Sequence, residues 1–221
     1  MSEQTDPHRD PWPLRNLTLR TPRVELRPDD DAGLAELVEV ARKGIHDPNT
    51  MPFLSLWTDA PPEELAPNTM RYFWSARAGL VPEDWHVNCL VRTDGRVIGT
   101  QELHAQHFLV RREVSSGSWL GRTHQGRGLG TEMRAAVLLL AFDHLGAHTA
   151  RSEAFGDNPA SLGVSRKLGY VDDGTTVQLR RASSAGATVG GEARDLRAPP
   201  WALQVHGMEA CRGQLGLGSP T

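Results

Sequence analysis

Seven residues, Gln125-Gly126-Arg127-Gly128-Leu129-Gly130-Thr131, carry the densest chemical signal in the chain. Glycines spaced this closely strip side chains from a turn, so main-chain N–H groups can approach an anion. Apolar residues at Met133, Ala136, Val137, Leu140, Ala141 and Leu145 follow at helical period, which predicts a helix over 128–145. The turn therefore opens a helix, whose free N-terminal amides and dipole favour a phosphate. Spacing excludes two phosphate-binding patterns. No Lys follows the glycines, as a nucleotide-hydrolysing P-loop requires. Gly-x-Gly-x-Gly, past the chain's midpoint, is also not the Gly-x-Gly-x-x-Gly that follows the first strand of a dinucleotide-binding unit. On this stretch alone, a glycine turn that merely caps a helix stays open as an alternative.

A second stretch narrows that choice: Asn158-Pro159-Ala160-Ser161, then Val164, then Lys167-Leu168-Gly169-Tyr170. Gln125 to Gly130 matches, position by position, the pattern Gln/Arg-x-x-Gly-x-Gly/Ala of the pyrophosphate loop in the GNAT superfamily. Residues 158–170 resemble that superfamily's downstream segment Asn-x-x-Ser-x-x-Val-x-x-Lys-x-Gly-Phe/Tyr. Residues 21–27 and Gly117-Ser118-Trp119-Leu120 resemble its RimJ/RimL-type branch, the ribosomal-protein N-terminal acetyltransferases. The resemblance covers about 17–173. It implies an α/β (α+β) fold with a central mixed, largely antiparallel sheet, a V-shaped splay between two strands, and flanking helices. It also implies acetyl-CoA as co-substrate and direct attack by a primary amine in a ternary complex.

In that implied frame the strands 113–120 and 149–155 part, and the acyl-CoA lies between them like an added strand. Gln125, Gly126, Arg127, Gly128, Leu129, Gly130 and Thr131 then hold the pyrophosphate, with Asn158 and Ser161 as further cofactor contacts. An N–H near Trp119 or Leu120 polarises the thioester carbonyl. The attacking amine must lose a proton to a carboxylate or imidazole, for which Glu102, His104 and Glu113 are candidates. Alternation along 97–108 puts Thr100, Glu102 and His104 on one face, so Glu102 is preferred, with a solvated strand carboxylate as the plain alternative. For Glu113, which follows Arg111-Arg112, the solvated-carboxylate alternative is the stronger one. The RimJ/RimL-type enzymes often carry a Glu where this chain reads Val114-Ser115-Ser116-Gly117, so the expected acid is displaced. The tyrosine that protonates the thiolate in many members falls at Ser165 here. The RimL-like branch implies Ser161 in its place, against the alternative of a first-turn hydroxyl bonded to backbone. No acyl-enzyme is implied, so Cys89 reads as a small buried hydrophobe.

The elements that must position these groups follow from pattern. Residues 17–27 read as a strand, Pro28-Asp29-Asp30-Asp31 as a stop and N-cap, and Leu34, Leu37, Val38 and Ala41 as a helix face ending at Gly44. The Pro-rich loop 46–62 should be ordered by its aromatics, with Phe53 and Trp57 facing the acceptor. A helix over 63–80, a hairpin of 85–91 and 97–108 across Asp94-Gly95, a strand over 149–155 and a helix from Asn158 to Gly169 follow. Residues 174–181 and 201–205 read as strands, and the Ser/Gly/Ala/Thr-rich 182–193 as a flexible loop. The resulting division is an N-terminal arm at 1–14, one domain at 15–210 and a tail at 211–221.

Composition sets the outer bounds. With 221 residues, 38% of them apolar, one core suffices. A net charge of -3 and no run of Lys or Arg exclude a nucleic-acid partner, and no apolar stretch is long enough for a membrane span. Two distant cysteines fit a reducing cytoplasm, and no metal-ligand spacing is present, so no metal is expected. The expected partner is a small-molecule or peptide amine, bound by a monomer or homodimer. Because the tyrosine and the strand glutamate are missing, a catalytically silent acyl-CoA-binding module is the competing expectation.

Overall fold

The structure, a computed structural model, describes residues 10–181 and 184–218. Its strands are β1 (Thr18–Arg20), β2 (Glu25–Pro28), β3 (Asp84–Thr93), β4 (Arg96–Gln106), β5 (Glu113–Ser115), β6 (Ser118–Leu120), β7 (Thr149–Phe155), β8 (Val171–Arg181), β9 (Ser184–Ala193) and β10 (Gln204–His206). They form one sheet in the order β10-β1-β2-β3-β4-β5-β7-β9-β8, with β6 pairing β4 beside that path. The β5–β7 pair is parallel and the other strand pairs are antiparallel. The helices are α1 (Asp31–Arg42), α2 (Pro62–Ala78), α3 (Phe108–Arg111), α4 (Leu129–Leu139), α5 (Pro159–Lys167) and α6 (Met208–Cys211). This is the mixed, mainly antiparallel α/β sheet with flanking helices that the resemblance implied.

Pleating sends neighbouring residues of β3 to opposite layers. Val87, Cys89 and Val91 join Met133, Ala136 and Val137 of α4 in the larger core. Leu90 joins Leu34 and Leu37 of α1 and Phe73 of α2 in the smaller one. Each of these fully buried Leu side chains contributes about 2 kcal/mol, so both layers are held firmly on the sheet. Asp30 caps α1 by accepting from Gly33 N at 2.7 Å. Gly33 must lack a side chain, since a Cβ there would lie 2.3 Å from Leu90 Cδ1.

Several expectations need correction. The single strand at 17–27 is a hairpin, β1 and β2, turned at Thr21, whose hydroxyl accepts from Val24 N. The strand expected over 113–120 breaks at Ser116-Gly117 into β5 and β6. Of the arm expected at 1–14, residues 1–9 lie outside the described residues, while Trp12 and Leu14 pack on the larger core. Of the flexible loop expected at 182–193, positions 182 and 183 lie outside the described residues and the rest is β9, paired on both edges. A small residue is a packing requirement at Gly186, where a Cβ would meet the Phe155 ring at 2.8 Å, while one on Gly191 would come into contact with the Tyr170 ring at 3.4 Å. The tail expected at 211–221 buries Cys211, Leu215 and Leu217, with 219–221 outside the described residues. The helix after the glycine turn ends as α4 at Leu139 and continues through a π-helical turn, Leu140–Leu145, to a left-handed Gly146.

Candidate active site

Among the described residues the sheet opens between β6 and β7. β5 stays beside β7 only through Ser115, opposite Arg151. After Ser116-Gly117 the chain re-enters as β6 and pairs with β4, Trp119 opposite Thr100 and Leu120 opposite Gly99. Gly99 permits this approach, since a Cβ there would lie 2.2 Å from Trp119 O. From Ser152 to Phe155, β7 pairs with β9 on its other edge, so the edge toward β6 faces an opening. Glu102 N donates to Gly117 O, and Gly121 N to Ile98 O. The antiparallel alternation therefore turns the main-chain groups of Trp119 toward β4 and the N–H groups of Ser118 and Leu120 toward the opening. Of the two amides expected to face a thioester, Leu120 is suitably turned and Trp119 is not.

Beyond β6, Gln125 Nε2 donates to Leu120 O and to Ile45 O, both at 2.7 Å, and so anchors the start of the glycine turn. Gly126 and Gly128 take φ of +72 and +78, which L side chains rarely adopt. Gly128 is the N-cap of α4 and supplies no side-chain cap, so no side chain of its own competes for the amides of Leu129, Gly130 and Thr131. Arg23 braces the turn. Its Nη1 donates to Arg127 O at 2.9 Å, while its Nε bonds the buried carboxylate of Glu132 at 2.6 Å. Glu132 also accepts from Thr21 Oγ1 and Arg23 N, which explains why a buried carboxylate is tolerated in the first turns of α4. The second helix start lies alongside: a Cβ on Gly130 would meet Val164 Cγ2 of α5 at 3.8 Å. Asn158 Oδ1 caps α5 by accepting from Ser161 N at 3.1 Å. Ser161 precedes Val164 by one turn, on the same helix face.

On the α1–α2 side of the sheet, Glu102 reaches the point where β5 and β6 part. A Cβ on Gly117 would sit 3.0 Å from Glu102 Oε2, so the glycine leaves room for the carboxylate. The other oxygen, Oε1, bonds His86 Nδ1 at 2.5 Å, and this hydrogen bond raises the His86 pKa above its ordinary value. The cross-strand neighbours His86 and His104 stack with ring centroids 3.9 Å apart. Glu113, the other carboxylate candidate, is taken by Arg151 at 2.8 Å and Arg111 at 2.5 Å. Burial alone would raise its pKa, but those two guanidinium bonds outweigh it and hold the carboxyl below the ordinary range. Phe53, Trp57 and Trp119 form a chain of rings, with centroids 5.3 and 5.5 Å apart, that brings the 46–62 loop onto β6.

Further groups around the site are set by tertiary contacts. Arg134 of α4 is buried and donates to Ser165 Oγ at 2.9 Å and Ser152 Oγ at 3.4 Å. Burial lowers its pKa, and the Ser165 hydroxyl is spent on it. Cys89 is buried, which pushes its thiol up to about 12 and removes it as a nucleophile at neutral pH. His86 and Asp84 reach the site only through strand pairing. A period-two count over 97–108 could not reveal them, although the same count over 84–90 would have put both on the Leu90 face.

A family model described as an acetyltransferase (GNAT) domain matches residues 23–171. The chain belongs to the GNAT acetyltransferase family. It is an N-acyltransferase by that membership, and enzymes of the family use acetyl-CoA. Solved structures share the GNAT fold at low identity. RimJ from Mycobacterium smegmatis, in complex with CoA-disulfide, superposes with a TM-score of 0.66 at 15% identity, covering 91% of this chain and 95% of that one. A GCN5-related N-acetyltransferase from Brucella melitensis gives 0.64 at 18%, over 80% and 78% of the two chains. An acetyl transferase from Salmonella typhimurium, described as modifying the N-terminal serine of a 50S ribosomal subunit protein, gives 0.62 at 16%, over 79% and 96%. No helix among the described residues of this GNAT chain is long and apolar enough to cross a membrane.

Proposed function

We propose that the chain transfers the acetyl group of acetyl-CoA to a primary amine, a peptide N-terminus being the acceptor class favoured by its RimJ-like and ribosomal-protein-modifying neighbours. The observation that carries this reading is the Glu102 carboxylate beside Gly117, at the head of the opening between β6 and β7. Bound acetyl-CoA supplies an activated acetyl thioester. The amides of Gly126 to Thr131 and the positive end of α4 grip its diphosphate. The Leu120 N–H donates to the thioester carbonyl as negative charge develops there. Glu102 Oε2 takes the proton from the acceptor ammonium, directly or through one water, while His86 keeps the other oxygen fixed. In the RimJ/RimL-type pattern a Glu stands in the segment where this chain has Val114 to Gly117; here the carboxylate arrives at the same break from the neighbouring strand. Ser161 Oγ returns a proton to the departing thiolate, and Phe53 and Trp57 form a wall for the acceptor.

The test is coenzyme A release with a panel of peptide and small-molecule amines, using the parent enzyme and Glu102→Gln. Gln keeps the shape but cannot take the proton. Turnover should fall about 10²-fold or more with acetyl-CoA affinity unchanged. A Glu102→Gln enzyme of parental turnover would remove Glu102 as the base.

A further inference from the structure

We propose that Asp84, His86 and His104 form a site for a borderline divalent transition metal of the zinc class, on the β3–β4 face that carries Glu102. It stands independently of the transferase reading. His86 Nε2 and His104 Nε2 both converge on Asp84 Oδ1, at 3.7 and 3.1 Å. Metal–ligand bonds of about 2.0–2.1 Å in a tetrahedron give ligand–ligand edges of about 3.3–3.4 Å, and the two observed edges bracket that value. All three donor atoms lie within 4.8 Å of one another, and closing the site swings the two imidazoles out of their stacked arrangement.

The second observation lies on the far side of each ring. His86 Nδ1 is held by Glu102 at 2.5 Å, and His104 Nδ1 by Ser115 Oγ at 3.1 Å. Metal-ligating histidines characteristically donate their other N–H to a carboxylate or another oxygen acceptor, which fixes the ring and the tautomer. Each ring thus has Nδ1 engaged and Nε2 turned toward Asp84 Oδ1. The side chains are partly open, 46% for Asp84, 38% for His86 and 23% for His104, which leaves room for a fourth ligand such as water. Two imidazoles and one carboxylate suit zinc, cobalt or nickel better than magnesium or calcium, which prefer oxygen. A filled site holds His86 in its Nδ1–H form, so one Glu102 oxygen stays engaged.

Binding is measured without reference to turnover, on the full chain freed of any histidine tag and dialysed against chelator. Zinc is titrated by calorimetry and cobalt by its visible d–d absorption. About one equivalent should bind, with the absorption of a four- or five-coordinate ion and a zinc-dependent rise in melting temperature. His104→Gln and Asp84→Asn should each weaken binding about tenfold or more. The exposed His148 and His206, replaced together by Gln, should leave it unchanged. If a ligand variant fails to fold, Ser115→Ala keeps all three ligands and should still lose about tenfold. The proposal is overturned if no saturable single-equivalent binding is seen. Folded His104→Gln or Ser115→Ala with parental affinity, or dependence on His148 and His206, overturns it equally.

Discussion

Replacing Gly128 by Val separates the proposed anion-binding role of the glycine turn from its structural one. Gly128 has φ +78, and around a Cβ there only the Arg23 guanidinium comes near, with Nη2 at 3.4 Å. Stability should therefore fall mainly through the left-handed backbone, by about 2 kcal/mol for a β-branched residue, or roughly 4–8 °C in Tm. Gly95, in the β3–β4 hairpin, supplies the matched control: its φ is +77 and a Cβ there meets nothing within 4 Å. Gly95→Val should pay the same backbone strain with no ligand nearby. Binding should distinguish the two. If the isopropyl group blocks two amide bonds to diphosphate, each worth about 1.5 kcal/mol, acetyl-CoA affinity falls roughly 10²-fold in Gly128→Val. In Gly95→Val it should stay within about threefold. Calorimetric titration with acetyl-CoA, alongside thermal melts of both variants, reads the contrast. Equal affinities in two equally destabilised variants would refute the diphosphate grip.

Two other expectations follow from named contacts. Ser161→Ala keeps the α5 cap, because Asn158 bonds the Ser161 N–H and not the hydroxyl. Turnover should therefore drop about tenfold or more while the acetyl-CoA Kd holds, and an unaltered kcat would make the hydroxyl purely structural. Asp29 is buried before α1, and that desolvation, only partly offset by Arg77 at 2.9 Å, raises its pKa from 3.8 to about 6. A carboxyl whose folded pKa lies above its unfolded value stabilises the fold in its protonated form, and that contribution is lost as pH rises from about 4 through 6. Asp29→Asn escapes the loss, so its stability relative to the parent should climb by up to about 3 kcal/mol between pH 4 and 7. Denaturant unfolding at both pH values checks it, and a pH-independent difference would exclude burial as the cause.

Much of the architecture was legible because it depends on short-range rules. The glycine turn, the Asn158-Pro159 start of α5 and the Asp94-Gly95 hairpin each announce themselves within a few residues, since φ > 0, helix capping and proline's missing donor are local constraints. The same locality misled at 184–193, where a composition typical of linkers became β9. What selects a small residue there is the ring of Phe155 above Gly186, a contact outside any local window.

The sequence by itself determined the family, the glycine-rich turn at the head of α4 and the presence of Glu102 on one strand face, because those reside in ordered motifs and in the two-residue period of a strand. Only the tertiary structure decided what Glu102 touches. Strand pairing set His86 opposite His104 and Asn88 opposite Glu102, and the break at Ser116-Gly117 opened a space beside that carboxylate. It also turned Leu120, and not Trp119, toward the opening, and spent Glu113 on arginines. The register of one strand against another is a long-range choice set by which faces bury their apolar side chains, so no single segment carries it.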